Sequence, residues 1–332
     1  FRILPAAGLC SLCETDREWR TATQDARREA RLQMTWELVA RHDQSLERKA
    51  RMRRLVARTD FALPAGLTSV GDFAFEGCRS LATIELPAGL TSVGDCAFQG
   101  CRSLATIELP DSLTSIGDCA FYCCRSLVAI EFESPAGLTT IGDCAFQGCS
   151  FLATIELPDG LTSVDDCAFY GCSSLATIEL PADLTSIGHR AFFGCSSLAR
   201  IELPAGLTSI GSGAFYGCSS LARIEFESPA GLTSIGDCAF YGCRSLVAIE
   251  FESSAGLTTI GDCAFQGCSF LATIELPDGL TSIGHRAFCG CSSLTTIALP
   301  ARLSLFAANL MKLRLQHESS GFHGTVTYAG TG

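Results

Sequence analysis

From residue 61 onward the apolar positions recur in a set order, and the order itself repeats. The dipeptide Ala-Phe returns with Phe at 75, 98, 121, 146, 169, 192, 215, 240, 265 and 288. The interval is 23 residues, or 25 in three cases. The working unit reads LPxxLTSIGDxAFxGCxSLATIE. Within it Leu81, Ile84 and Leu86 begin an L-x-x-I-x-L set, whose alternation predicts a strand with one buried edge. A second apolar pair, Leu90 and Val93, predicts another short strand or extended turn in each coil. A 23-residue unit cannot bury such edges alone, so the pattern predicts coils stacked into a solenoid. Each buried Leu, Ile or Phe contributes roughly 1.5–3 kcal/mol.

The polar positions mark the corners. Pro87 and its equivalents follow the strand, where a missing N–H ends the ladder. The segment GDxAFxGC predicts a compact turn or a single helical turn. Asp95, Asp118, Asp143, Asp166, Asp237 and Asp262 stand at its start, placed to accept backbone N–H bonds. Gly100 and its equivalents are expected at a positive-φ position that ends it. Cys123 interrupts that glycine column and predicts a local adjustment of its coil. The longer units carry a two-residue insertion before Leu138, Leu232 and Leu257. Ten coils about 4.8 Å apart make a rod of roughly 45–50 Å.

The string LPAGLTSVGDCAFQGCRSLATIELP, from Leu86 to Pro110, and its relatives resemble the BspA-like, or Treponema pallidum, class of leucine-rich repeats. The resemblance spans about residues 61–300. It implies an α/β leucine-rich-repeat solenoid of about ten 23–25-residue coils. It also implies a cell-surface or host-interaction role, and it carries over no catalytic residue. Residues 124–163 return almost unchanged as 243–282, so the array has grown by copying a multi-coil block.

Cysteine changes the picture next, with 20 in the chain. Ten fill one column: Cys78, Cys101, Cys124, Cys149, Cys172, Cys195, Cys218, Cys243, Cys268 and Cys291. That column reads as a buried thiol stack, cysteine acting as a small apolar residue. A second column holds Cys96, Cys119, Cys144, Cys167, Cys238 and Cys263, with Phe73, Arg190, Gly213 and Arg286 in the other coils. A column that accepts Arg twice belongs near the surface, which makes these six the more reactive thiols. A disulfide within a coil needs Cα atoms under about 7 Å apart. No metal site is expected: His189 and His285 lie in coils lacking the second cysteine, and Cys10-x-x-Cys13 has no second pair.

The outward positions of the strand give two small columns and one acidic column. The small ones run Ala82, Ala105, Val128, Ala153 and Thr83, Thr106, Ala129, Thr154. The acidic one is Glu85, Glu108, Glu131, Glu156, Glu179, Glu202, Glu225, Glu250 and Glu275, ending at Ala298. Arg200 and Arg223 stand beside it and are expected to relieve the repulsion between stacked carboxylates. The column reads either as a binding strip for a basic partner or divalent cations, or as a solvated face that discourages lateral association. A further ladder, Thr68, Thr91, Thr114 and Thr139, resembles ice-binding surfaces only in outline; strand propensity and backbone bonding explain it better.

The net charge of −11 is unevenly spread. Residues 1–60 hold 13 Lys and Arg against 9 Asp and Glu; residues 61–332 hold 11 against 26. The acidic array repels nucleic acid. Residues 14–58 read as helix, with Thr15-x-x-Glu18 as a capping box. Asp16–Arg20, Glu37–Arg41 and Glu47–Arg51 are favourable i,i+4 pairs. The run from Arg48 to Arg58 is strongly basic and reads either as part of a capping, solvated helix or as a nuclear-import signal, an anionic-membrane contact or a nucleic-acid contact. Phe1 to Cys13 is mildly apolar but lacks the parts of a signal peptide. No run of about 18 apolar residues occurs.

Three parts follow: a helical cap or basic region over 1–60, the solenoid over 61–300, and a degenerate C-terminal cap over 301–332 in which Gly324 to Tyr328 is expected to add one last strand. No nucleophile–base–acid set and no phosphate-cradling loop emerges, so no enzyme and no cofactor is expected. The favoured function is a non-enzymatic protein-binding or adhesion module using the acidic face for a basic protein partner; the family resemblance implies the cell surface or the outside of the cell, whereas free thiols would imply the inside. The alternative is an intracellular scaffold directed by the basic N-terminal helix.

Overall fold

The computed structural model describes residues 63–132, 137–226, 231–251 and 256–299, together with the backbone of 325–328. The N-terminal helix, its capping box and the basic run lie outside the described residues, as do Cys10 and Cys13.

The repeat folds as a parallel β-solenoid. Ten two-residue strands, from Ser69–Val70 to Ser282–Ile283, form one sheet in chain order. These are the short strands expected from the Leu90 and Val93 positions. Ser69 pairs with Ser92 and Val70 with Val93, one coil on. The 25-residue coils keep the same register: Ser209 pairs with Ser234, and Ser234 with Thr259. Inserted residues therefore leave this ladder intact.

The T-I-E-L strands build two further parallel sheets. Thr106–Leu109, Ala129–Phe132, Thr154–Glu156 and Thr177–Glu179 form one. Arg200–Leu203, Arg223–Phe226, Ala248–Glu250, Thr273–Glu275, Thr296–Leu299 and Thr325–Tyr328 form the other. The last strand, expected from the C-terminal sequence, pairs Thr325 with Thr296 and Tyr328 with Leu299. Leu81 and Ile84 of the first coil are buried without forming a strand.

The α component of the expected fold class is not found: among the described residues there is no α-helix. The backbone of GDxAFxGC shows why. Alternate N–H groups point along the solenoid axis, so Cys96, Phe98 and Gly100 donate to the carbonyls of Asp118, Ala120 and Tyr122 in the next coil. The intervening ones close tight turns, Ala97 to Gly94, Gln99 to Cys96 and Cys101 to Phe98. Half the donors a helix needs are committed to a neighbour, and residues 96 and 100 sit at positive φ, 54° and 70°. A continuous i→i−4 series cannot form on that backbone.

The core is one column per side chain. Phe75, Phe98, Phe121, Phe146, Phe169, Phe192, Phe215, Phe240 and Phe265 are fully buried. Their rings stack at 5.0–5.4 Å between centroids, close to parallel. Burial of the full ring and of the Leu and Ile columns beside it supplies the apolar drive for stacking. The threonine ladder is committed to the backbone. Thr91 Oγ1 donates to the Thr68 carbonyl at 3.0 Å, and Thr114, Thr185 and Thr208 each make the same bond to the threonine carbonyl of the preceding coil.

Candidate binding face

The strand alternation orients the acidic column. In Thr106–Leu109 the burial runs exposed, buried, exposed, buried, so Ile107 and Leu109 face inward while Thr106 and Glu108 face out. The same holds for Arg200–Leu203. Glu85, Glu108, Glu131, Glu156, Glu179, Glu202, Glu250 and Glu275 are exposed, and Glu225 is half-buried. The sheet registers them directly: Glu108 with Glu131, Glu156 with Glu179, Glu202 with Glu225, and Glu250 with Glu275. The structure thus gathers the nine sequence-derived residues on one outward face.

Arg200 and Arg223 interrupt that field where expected. Arg200 reaches Glu225 at 2.6 Å and Glu202 at 3.4 Å, and Arg223 reaches Glu225 at 3.2 Å. The hydrogen bond from Arg200 and then that from Arg223 hold the Glu225 carboxyl below the usual carboxylate range. Beside this cluster lies a concavity of about 530 Å³, lined by Glu202, Arg223, Glu225, Phe226, Val247 and Glu250 among others.

Sequence reasoning missed four exposed apolar side chains. Phe151 and Phe270 are 61% and 62% exposed, and Val128 and Val247 47% and 53%. The two phenylalanines occupy the column that holds Ser80 and Ser103 elsewhere, and the two valines replace Ala82 and Ala105. Each departs from the repeat by being larger and more apolar, and that was the available signal. Because both pairs lie in the copied block, the array presents the same apolar doublet twice.

The two cysteine columns separate cleanly. The column of Cys101 is buried throughout. From Cys101 to Cys291 each of its thiols donates to a phenylalanine carbonyl of the preceding coil, Cys101 to Phe75 at 3.1 Å and Cys172 to Phe146 at 3.2 Å. Burial pushes the Cys124, Cys172 and Cys218 thiols up to about 12. The column of Cys96 is half-buried, and its Arg190 and Arg286 are exposed, as a surface position requires. Burial first, then the neighbouring Cys119 thiol, push Cys96 and Cys144 up to about 12. The 18 described cysteines are free thiols.

The aspartate column and Cys123 behave differently from their sequence reading. The carboxylate of Asp72 accepts the N–H of Asp95 at 2.9 Å, and Asp95 does the same for Asp118. The aspartates therefore link successive coils rather than cap their own turn. His189 takes an aspartate's place, its Nδ1 accepting the N–H of Ser212 at 3.2 Å. Cys123 adopts the positive φ of its glycine column, 57°, and donates to the Gln147 carbonyl at 2.7 Å like its neighbours. Its coil is not adjusted; the left-handed backbone is kept with a side chain on it.

Among the described residues no group of three or more His, Cys, Asp or Glu side chains converges on a common point, and no helix is long and apolar enough to cross a membrane. The sequence profile of the BspA-type leucine-rich repeat region matches the chain in six copies, over residues 55–136, 129–230 and 223–330. The chain belongs to the BspA-type leucine-rich repeat family. A leucine-rich repeat protein from Bacteroides ovatus is similar to it at 26% identity, over 80% of this chain and 82% of that one, with a TM-score of 0.44. The leucine-rich repeat protein of T. pallidum is 31% identical over 68% of this chain and 87% of its own, with a TM-score of 0.46. A leucine-rich cell surface protein from Faecalibacterium prausnitzii is 26% identical over 73% and 84%, with a TM-score of 0.37. No curated protein matches the chain. BspA-type chains are repeat proteins that in general bind proteins or serve as surface antigens.

Proposed function

We propose that this BspA-type chain is a non-enzymatic protein-binding module whose acidic strand face holds a basic protein partner, at the cell surface or outside the cell. The observation that carries the reading is the outward glutamate column, Glu85 to Glu275, exposed except at the half-buried Glu225 and registered pair by pair at Glu108–Glu131, Glu156–Glu179, Glu202–Glu225 and Glu250–Glu275. Coil stacking sets neighbouring carboxylates about 5 Å apart, inside the Debye length of about 8 Å at physiological salt. Their fields add, and a cationic partner relieves repulsion that the free protein carries. Val247, exposed and lining the same concavity as Glu202, Glu225 and Glu250, supplies apolar contact beside the charge, the combination that anchors protein interfaces. Residues 1–60 and 301–332 serve as flanking caps in this reading.

The test is salt-titrated capture of a labelled lysine- and arginine-rich peptide. Glu156→Lys, Glu179→Lys and Glu202→Lys together abolish capture, and rising salt weakens capture by the unaltered chain. Retention by the triple variant at every salt concentration contradicts the acidic-face reading. The basic run Arg48 to Arg58 supports a second reading, an intracellular scaffold placed by that segment. Deleting residues 48–58 then redistributes the protein in cells, and unchanged location rejects it.

A further inference from the structure

Four large apolar side chains are exposed among the described residues, Val128, Phe151, Val247 and Phe270. They form two identical groups, because residues 124–163 and 243–282 differ only at Pro135 and Ser254. The other eight coils carry serine in the phenylalanine column, and alanine or Thr295 in the valine column.

Both groups belong to the sheet that carries the glutamates. Inter-coil bonds run on from the T-I-E-L strands into the segment before them. The Ala272 N–H donates to the Val247 carbonyl at 3.0 Å, and the Phe270 N–H to the Arg244 carbonyl at 3.3 Å. Ala153 makes the same bond to Val128 at 3.0 Å in the first block. Along each valine coil exposure returns at every third residue. Arg125, Val128 and Glu131 face out, as do Arg244, Val247 and Glu250, while Cys124, Leu127 and Ile130 face the core. Each valine therefore lies midway between a cation and an anion. Neither arginine and neither glutamate forms an ion pair within the described chain, where those pairs belong to Arg200 and Arg223.

An apolar centre with a cation on one side and an anion on the other is its own complement. A two-fold axis parallel to the solenoid, through the valine column, reverses the order across the face. Val128 then meets its equivalent, and Arg125 of each chain meets Glu131 of the other. Arg244 and Glu250 pair likewise five coils along. Arg79 and Arg102 are also exposed, and each stands six residues before a glutamate, in the same register. Phe151 and Phe270 reach across to Thr154 and Thr273 of the other chain, whose short side chains leave room. An antiparallel two-fold between the blocks sets Arg125 against Arg244 instead, so like charges oppose one another.

We propose that this face is a self-docking surface, through which two copies of the chain pair side by side in parallel as an isologous dimer. The strip from the arginine column to the glutamate column measures roughly 20 Å by 45 Å, close to the about 800 Å² that each partner of a stable pair buries. Apolar centres ringed by charge are the ordinary anatomy of such interfaces. The pairing does not rest on the basic-partner reading. Glu156, Glu179 and Glu202, which that reading tests, face Ser150, Ser173 and Ser196 of the second copy and not arginines, so the two fail separately.

Sedimentation equilibrium of the reduced full chain over rising concentration measures the mass. The unaltered chain reaches twice its 35.1 kDa. The variant Val128→Ala/Phe151→Ser/Val247→Ala/Phe270→Ser restores what the other coils carry. Circular dichroism shows its fold retained, and its dimer is at least about a hundredfold weaker. A charge swap reads the register. Arg125→Glu/Arg244→Glu alone dissociates, as does Glu131→Arg/Glu250→Arg alone, and an equimolar mixture of the two returns to the dimeric mass. A monomeric unaltered chain overturns the proposal, as does a dimer indifferent to the four apolar substitutions. Swap variants that each dimerise alone, or that fail to recombine when mixed, overturn the parallel arrangement.

Discussion

Two cysteine columns stand five residues apart in the same turn and obey opposite rules. The column of Cys101 faces the core, and every one of its ten coils keeps cysteine. The column of Cys96 faces the boundary with solvent and accepts Phe, Cys, Arg or Gly. What the first preserves is a side chain: a small thiol that fills a space beside the phenylalanine ladder and donates to a carbonyl one coil back. What the second preserves is a backbone: a left-handed residue whose N–H reaches the next coil whatever it carries. A solenoid is thus specified column by column, and residue identity matters only where the side chain, and not the main chain, makes the inter-coil contact.

The inward side of that comparison breaks most heavily at the aromatic ladder. Phe169→Ala opens a void between Phe146 and Phe192 and lowers unfolding stability by about 3–5 kcal/mol, measured by urea denaturation. Alkaline pH comes next. The inward thiols are held protonated in the fold, with Cys124, Cys172 and Cys218 at about 12, against an ordinary value of 9.0. The folded state therefore keeps protons that the unfolded chain releases, and its stability is full below pH 9 and falls as pH rises from there towards 12. Each such thiol contributes a slope of about 1.4 kcal/mol per pH unit. Melting curves taken from pH 8 to 11 show the decline, and Cys172→Ala makes it shallower.

Backbone changes sharpen the outward side by smaller amounts. Gly171 has φ of 72°, so Gly171→Ala lowers stability by about 1–2 kcal/mol. Cys167→Gly, at φ of 58°, leaves stability unchanged or raises it by less than about 1 kcal/mol. A fall with Cys167→Gly as large as that with Gly171→Ala denies the backbone reading. The smallest effect belongs to the threonine ladder. Thr162→Val removes the bond from Thr162 Oγ1 to the Thr139 carbonyl and lowers stability by about 0.5–1 kcal/mol.

Most of the scaffold was legible in the chain because a repeat states each requirement many times. The strand at Ser92–Val93, the buried thiol column, the glycines at positive φ and the ion pairs of Arg200 and Arg223 all follow from column positions. The turn was half-legible. Its Asp, Ala-Phe and Gly signals resemble those of a short helix, and only the inter-coil hydrogen bonds of Cys96 and Phe98 exclude one. Those bonds depend on a neighbour that no window of one coil contains. The same holds for Asp72 and Asp95, whose carboxylates serve the following coil. Phe151 and Phe270 went unnoticed because attention to what repeats passes over what departs. The outward direction of the glutamate column follows from its alternation with Ile107 and Leu109, but alternation alone does not reveal the exposed Val128, Phe151, Val247 and Phe270.

The column rule is tested most directly by making one substitution in both columns of a single coil. Cys172→Arg buries a charge beside Phe146 and Phe169, whereas Cys167→Arg repeats what Arg190 already does one coil on. In paired urea denaturations of the full chain, Cys172→Arg lowers stability by more than about 4 kcal/mol, and Cys167→Arg changes it by less than about 1 kcal/mol. Losses of equal size in the two variants contradict the account.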